Sequence, residues 1–277
     1  MRNPFLLALF ALTVRLAESQ TEGSIPRNHL TFAVLIKIPG DSGEVSYGSG
    51  FMLESSKGNQ FLVTAKHVLF ENNKLRGDNA SITILGSDYT DTSCTILEVD
   101  LQRLLSQSDL LLHQTADVAL VRVGVSKSVV KGVRFVKVAI SGKPFVRYDI
   151  LSGYDDALPG NDVFVYGYPV SIGMREMPQF DMNRPLLRKG IVAGKYQPRK
   201  TIIIDCPSYG GNSGGPVVQA SPFGIRTKFK VIGIVIEFIP FDESRVNPIP
   251  SGILTTNSGY AVVESVDRVL EILKEIE

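Results

Sequence analysis

The sequence predicts an all-β protein: two six-stranded antiparallel β-barrels followed by a C-terminal α-helix. Three observations predict it. Short β-rich apolar runs recur with Gly, Pro, Asn or Asp between them, the runs fall into two groups, and only the tail switches to a helical period. In the first group TFAVLIKI (31–38) alternates and stops at Pro39-Gly40, and GSGFMLES (48–55), FLVTAKHV (61–68), ASITILG (80–86), CTILEV (94–99) and DVALVRV (117–123) follow. The second group is DVFVYGYP (162–169), GIVAGKY (190–196), KTIIIDC (200–206), GGPVVQ (214–219), KFKVIGIVIEFI (228–239) and SGYAVVE (258–264). Between them, residues 141–162 are rich in Gly, Pro and acids and read as the connection. In the tail, Val266, Val269, Leu270, Leu273 and Ile276 recur at helical spacing, so one face packs on the body. The expected organisation is barrel 1 at about 30–140, barrel 2 at about 160–264 and the helix at 265–276.

With 277 residues, 44% hydrophobic and 21% charged, the chain can bury a core without a disulfide framework. Residues 1–19 read as a signal peptide: Arg2 precedes the ten-residue apolar stretch 5–14, and Ala17 and Ser19 have the small-residue spacing of a cleavage site. That stretch is too short to span a bilayer, which takes about 20 residues. Residues 20–277 would then form the exported protein, periplasmic or extracellular, with no stable membrane insertion. Removing residues 1–19 turns a net charge of +1 into 0, which suggests neither a nucleic-acid partner nor a charged membrane surface. Export would permit one bridge between Cys94 and Cys206, but two separate thiols are the simpler expectation. Three histidines and two cysteines form no ligand-spaced cluster, so no metal and no cofactor are expected.

The chemistry centres on YGGNSGGPV (209–217), where four glycines surround one asparagine and one serine and an apolar strand follows at once. A flexible linker would be polar on both sides; this is a shaped turn. A serine hydroxyl needs a base, usually a histidine held by an acid. Of the three histidines, His29 lies near the start and reads as solvated, and His113 reads as a loop or helix-end residue. His67 ends a buried strand where it gives way to a turn, the seat a base requires. Asp117 opens the apolar run DVALVRV, an unusual place for a lone carboxylate.

GSGF, LVTAKHV, TADVALV and GNSGGPVV together resemble the landmark segments of trypsin-like serine proteases of the chymotrypsin fold, and more narrowly the bacterial HtrA-like branch. The similarity spans roughly 30–270. It implies Ser213 as nucleophile, His67 as base and Asp117 as the acid that orients it, with backbone N–H groups of Gly211 and Ser213 as the oxyanion hole. The implied activity is a serine endopeptidase acting through an acyl-enzyme, on unfolded or misfolded polypeptides. Departures from the digestive branch matter. Asn212 replaces the acid before the serine, no Ile-Val-Gly-Gly occurs near the start, and Val68 replaces a cysteine. Zymogen activation through a liberated N-terminus is therefore not expected. The HtrA-like resemblance is expected to hold without a PDZ domain, so PDZ-driven assembly is not expected either. Pro207 stands where trypsin has its acid, and Ile236, Glu237 and Phe238 fall near the pocket mouth, implying a shallow apolar P1 site. The alternative is a catalytically silent member serving as a binding or chaperone-like module. An esterase-type elbow is excluded, because its partners follow the serine and no histidine follows His113.

Overall fold

A computed structural model describes residues 25–40, 43–86, 93–125, 128–138, 145–170, 177–224, 226–242 and 255–277. The expected signal peptide at 1–19 lies outside the described residues. The first half contributes β1 (Ala33–Pro39), β2 (Val45–Glu54), β3 (Gln60–Thr64), β4 (Phe70–Glu71), β5 (Lys74–Leu75), β6 (Asn79–Leu85), β7 (Cys94–Asp100), β8 (Leu110–Leu112), β9 (Ala119–Val125), β10 (Ser128–Val129), β11 (Val133–Lys137) and β12 (Val146–Arg147). The second contributes β13 (Asp162–Gly167), β14 (Leu186–Tyr196), β15 (Thr201–Asp205), β16 (Pro216–Phe223), β17 (Arg226–Asp242) and β18 (Thr255–Ser265). Short helices occupy Lys66–Leu69 and Leu101–Ser106, and the C-terminal helix runs Asp267–Ile276.

The six strands β13-β14-β15-β18-β17-β16 close into a barrel. The N-terminal strands form one ten-stranded sheet along the path β10-β9-β3-β2-β1-β6-β7-β11, with β8 beside β9 and β12 parallel to β2. Two curled sheets and a terminal helix thus match the expected architecture. The extra members of the first sheet are mostly two- or three-residue strands, too short to show a period in sequence.

Period-two burial explains how the sheets meet. On β13, Val163 and Val165 point into the C-terminal barrel, while Phe164 and Tyr166 point outward into the core shared with the N-terminal sheet. β17 also divides, with Ile232 and Val235 inside the barrel and Val231 and Ile234 toward the shared core, a spacing of three that follows from the bulge opposite Val217 and Val218. The C-terminal helix adds Val269, Ile272 and Leu273 to that core. The closed barrel and the N-terminal sheet therefore share a continuous apolar core, which includes Val68, Ala116 and Val118, the chain neighbours of His67 and Asp117.

Two expectations are refined. Both thiols are free: Cys206 is buried and its burial pushes the thiol up to about 11, whereas Cys94 is only half-buried. His29 is not solvated. The residue is 9% exposed, its ring stacked on Phe32 at 4.6 Å and met edge-on by Phe229 at 5.1 Å. Burial pushes its pKa down from 6.5 to about 4. Between those values the unfolded chain protonates His29 and the folded chain does not, so stability must fall as pH drops from about 6.5 to about 4. The loss should reach on the order of 3 kcal/mol. Melting curves across that window should show it, and His29→Phe should flatten that part of the profile.

Candidate active site

β3 and β9 are antiparallel neighbours, with Thr64 opposite Ala119. That register sets the residues just after β3 beside those just before β9. His67, on the helix turn Lys66–Leu69, therefore meets Asp117 in the loop leading to β9. His67 Nδ1 lies 2.6 Å from Asp117 Oδ2, and the His67 backbone N–H donates to Asp117 Oδ1 at 2.9 Å. The carboxylate thus grips both ring and backbone. With a proton on Nδ1 facing the carboxylate, Nε2 is left as an acceptor, a tautomer assigned from this hydrogen bonding. Burial alone would raise the Asp117 carboxyl, but the hydrogen bonds and charge of His67 outweigh it and hold the group below the ordinary carboxylate value.

Ser213 sits in the loop between β15 and β16. Gly211 and Gly214 adopt φ of +100° and +85°, conformations that favour glycine. A Cβ on Gly214 would lie 2.2 Å from Ser49 O and 2.9 Å from Ala65 N, so the loop runs directly against the end of β3, two residues before His67. The Gly214 N–H donates to Val235 O at 2.7 Å and the Val235 N–H returns to Gly215 O at 3.0 Å, which pins the loop to β17. Among the described residues no hydrogen bond joins the Ser213 hydroxyl to the His67 ring. The backbone N–H groups of Gly211 and Ser213 likewise donate to no protein acceptor among them. Unliganded sites of this chemistry often have long nucleophile–base contacts.

Pro207 lies half-buried at the base of the same loop. Pro216, the first residue of β16, pairs with Ile234 of β17. Beyond that point β17 is paired only with β18 among the described strands, so its edge at Ile236–Phe238 faces outward from the loop. Ile236 packs against the shared core, Glu237 is exposed, and Phe238 is 38% exposed.

A model of the trypsin-like peptidase domain matches residues 48–222, a span that holds His67, Asp117 and Ser213 together. The chain belongs to the trypsin-like peptidase family. No curated protein sequence matches it. Solved structures share the fold at low identity. An HtrA-type protease, AlgW, solved with a tripeptide, is 17% identical with a TM-score of 0.53, the match covering 89% of this chain and 60% of that one. A serine endoprotease from Yersinia pestis is 15% identical with a TM-score of 0.50, covering 92% of this chain and 68% of that one. This trypsin-like peptidase therefore spans about three fifths of the AlgW chain.

Around the candidate site stand residues to which motif reading gave no functional role. His113 Nδ1 accepts the N–H groups of Thr115 (3.2 Å) and Ala116 (2.9 Å), and its Nε2 donates to Glu271 Oε2 at 2.9 Å. The loop that ends in Asp117 is thereby tied to the C-terminal helix. Burial would raise Glu271, but Arg268, His113 and Lys200 together hold it at about 2. Glu264 of β18 is 7% exposed, and burial pushes it up against the pull of Arg268 and of the Asp117 backbone N–H. One sequence signal existed for Glu264: it is the acid that ends the apolar run YAVV. Among the described residues, no three His, Cys, Asp or Glu side chains gather as metal ligands, and no helix is long and apolar enough to cross a membrane.

Proposed function

We propose that this trypsin-like peptidase is an exported serine endopeptidase with Ser213 as nucleophile, His67 as general base and Asp117 as the group that orients it. The observation carrying this reading is the 2.6 Å Nδ1–Oδ2 pair, because it leaves Nε2 as the free acceptor of the ring. Ser213 Oγ attacks the scissile carbonyl as its proton passes to His67 Nε2. The tetrahedral oxyanion accepts the N–H groups of Gly211 and Ser213, donors that no acceptor among the described residues occupies. Collapse breaks the C–N bond, and His67 returns the proton to the departing amine. Water, deprotonated by His67, then attacks the acyl-enzyme and frees Ser213.

The outer edge of β17 favours a substrate that adds as an extended strand, a form that unfolded or misfolded polypeptides supply. Pro207, Glu237 and Phe238 would border the P1 side chain beside Ile236; Pro207 stands where trypsin has its acid and Glu237 is exposed, so apolar P1 residues are preferred. Export rests on the signal-peptide pattern of residues 1–19. The silent-module reading draws on the missing Ser213–His67 hydrogen bond alone. Digestion of a reduced, unfolded proteome, followed by mapping of the cut sites, decides between them. Cleavage at apolar P1 residues that vanishes in Ser213→Ala is expected. A basic P1 preference would overturn the pocket assignment, and cuts that persist in Ser213→Ala would overturn the nucleophile.

A further inference from the structure

The peptide joining Gly211 to Asn212 lies between the two donors that have no partner among the described residues, and both of its polar atoms are taken. Its N–H donates to Tyr209 O at 2.9 Å. Its carbonyl accepts the hydroxyl of Ser49, a residue of β2, at 2.6 Å. The same hydroxyl accepts the Tyr168 N–H at 3.0 Å, so its donor and one acceptor position are both used. Ser49 reaches the loop a second time through its own backbone, whose N–H donates to Ser213 O at 2.9 Å. One residue of the N-terminal sheet thus grips the nucleophile loop on both sides of Asn212, by its side chain before it and by its backbone after it. The grip is fully buried, with Ser49 at 0% and Asn212 at 2% exposure. Gly167 makes room for it: a Cβ there would lie 2.9 Å from Asn212 Oδ1 and 3.1 Å from Ser49 Oγ.

We infer that Ser49 is a positioning residue for the oxyanion hole: its hydroxyl clamps the Gly211–Asn212 peptide, and so aims the flanking N–H groups of Gly211 and Ser213 into the cleft. This rests on the assignment of those two groups under the proposed function. A peptide plane held at both ends cannot rotate without breaking two buried hydrogen bonds. Any rotation not compensated by opposite changes in Gly211 ψ and Asn212 φ would turn the peptide units on either side with it, and the two donors would diverge. Asn212 carries no charge, so no ion pair at that position can order the loop; a neutral strap from the other sheet does the equivalent work. The 162-residue separation between donor and acceptor means the strap exists only once both sheets have docked. Substrate backbone added along β17 makes no use of it, so loss of the hydroxyl should act on the reaction far more than on ground-state binding.

The test compares the full chain with Ser49→Ala, using an alkyl fluorophosphonate whose phosphoryl oxygen must occupy the oxyanion position. The expected result is a fall in the maximal phosphonylation rate on the order of 10²–10³, the loss typical of one oxyanion donor, with the half-saturating probe concentration changed less than about threefold. Hydrogen exchange of the amides in 209–215 should quicken in the same variant. A folded Ser49→Ala with unchanged rate and unchanged exchange would overturn the inference, as would a fall confined to probe affinity. If Ser49→Ala does not fold, Ser49→Cys fills the site with a slightly larger, weaker donor and is read by the same two measurements. Should the wild-type chain resist the probe, the peptidase reading fails. The exchange data then still decide the strap: faster exchange at 209–215 supports it and unchanged exchange overturns it.

Discussion

Asp117→Asn is expected to lower kcat by roughly 10⁴ while the chain still folds. The carboxylate accepts twice, from the His67 ring at 2.6 Å and from the His67 backbone N–H at 2.9 Å. An amide has one acceptor oxygen and one donor nitrogen, so it can satisfy only one of these. Keeping the backbone contact turns the NH2 toward Nδ1, which must then give up its proton. The ring tautomer flips, and Nε2 becomes a donor just where it has to accept from Ser213. Steady-state kinetics on labelled casein measure the effect, and a loss below tenfold would contradict the orienting role. The same variant carries a pH signature. Because the folded Asp117 pKa is lowered, its stabilisation is present above the unfolded value and lost as pH falls through the folded one. Asparagine removes that acid-dependent part of the melting profile.

Gly214→Ala should be strongly damaging to the fold near the site. The new Cβ would meet Ser49 O at 2.2 Å, Thr64 Oγ1 at 2.3 Å and Ala65 N at 2.9 Å, two of them backbone atoms of the facing sheet. The residue would also have to hold a φ of +85°. Overpacking and left-handed strain together should cost about 3–5 kcal/mol. For a chain of this size that is a drop of roughly 10 °C in Tm. Gly160 has a similar φ of +91° but nothing within 4 Å of its would-be Cβ, so Gly160→Ala isolates the backbone component. Its cost should stay near 1–2 kcal/mol. Equal losses for the two variants would show that close docking of the sheets at Gly214 is not what matters.

Much of this architecture was legible because strand periodicity is a local property. The alternation of β13 and the helical spacing of Val266, Val269 and Leu273 follow from which neighbours in sequence share a face. The pairing of His67 with Asp117 was legible for a related reason: each flanks a strongly apolar strand, and those strands pair. What escaped has a common physical cause. The Ser49–Gly211 and His113–Glu271 contacts join atoms 162 and 158 positions apart, and nothing local in either partner announces the other. His29 was misread because proximity to the terminus says nothing about Phe32 and Phe229 closing over its ring. The two-residue strands β10 and β12 have no period to read.

The central claim is that Ser213, activated by His67, forms a covalent acyl-enzyme. Intact-mass and peptide mapping after exposure to a fluorophosphonate test it most directly. A single phosphonyl adduct on the peptide containing Ser213, absent in Ser213→Ala and strongly slowed in His67→Ala, is the predicted result. An adduct on another residue, or undiminished labelling of Ser213→Ala, would contradict it.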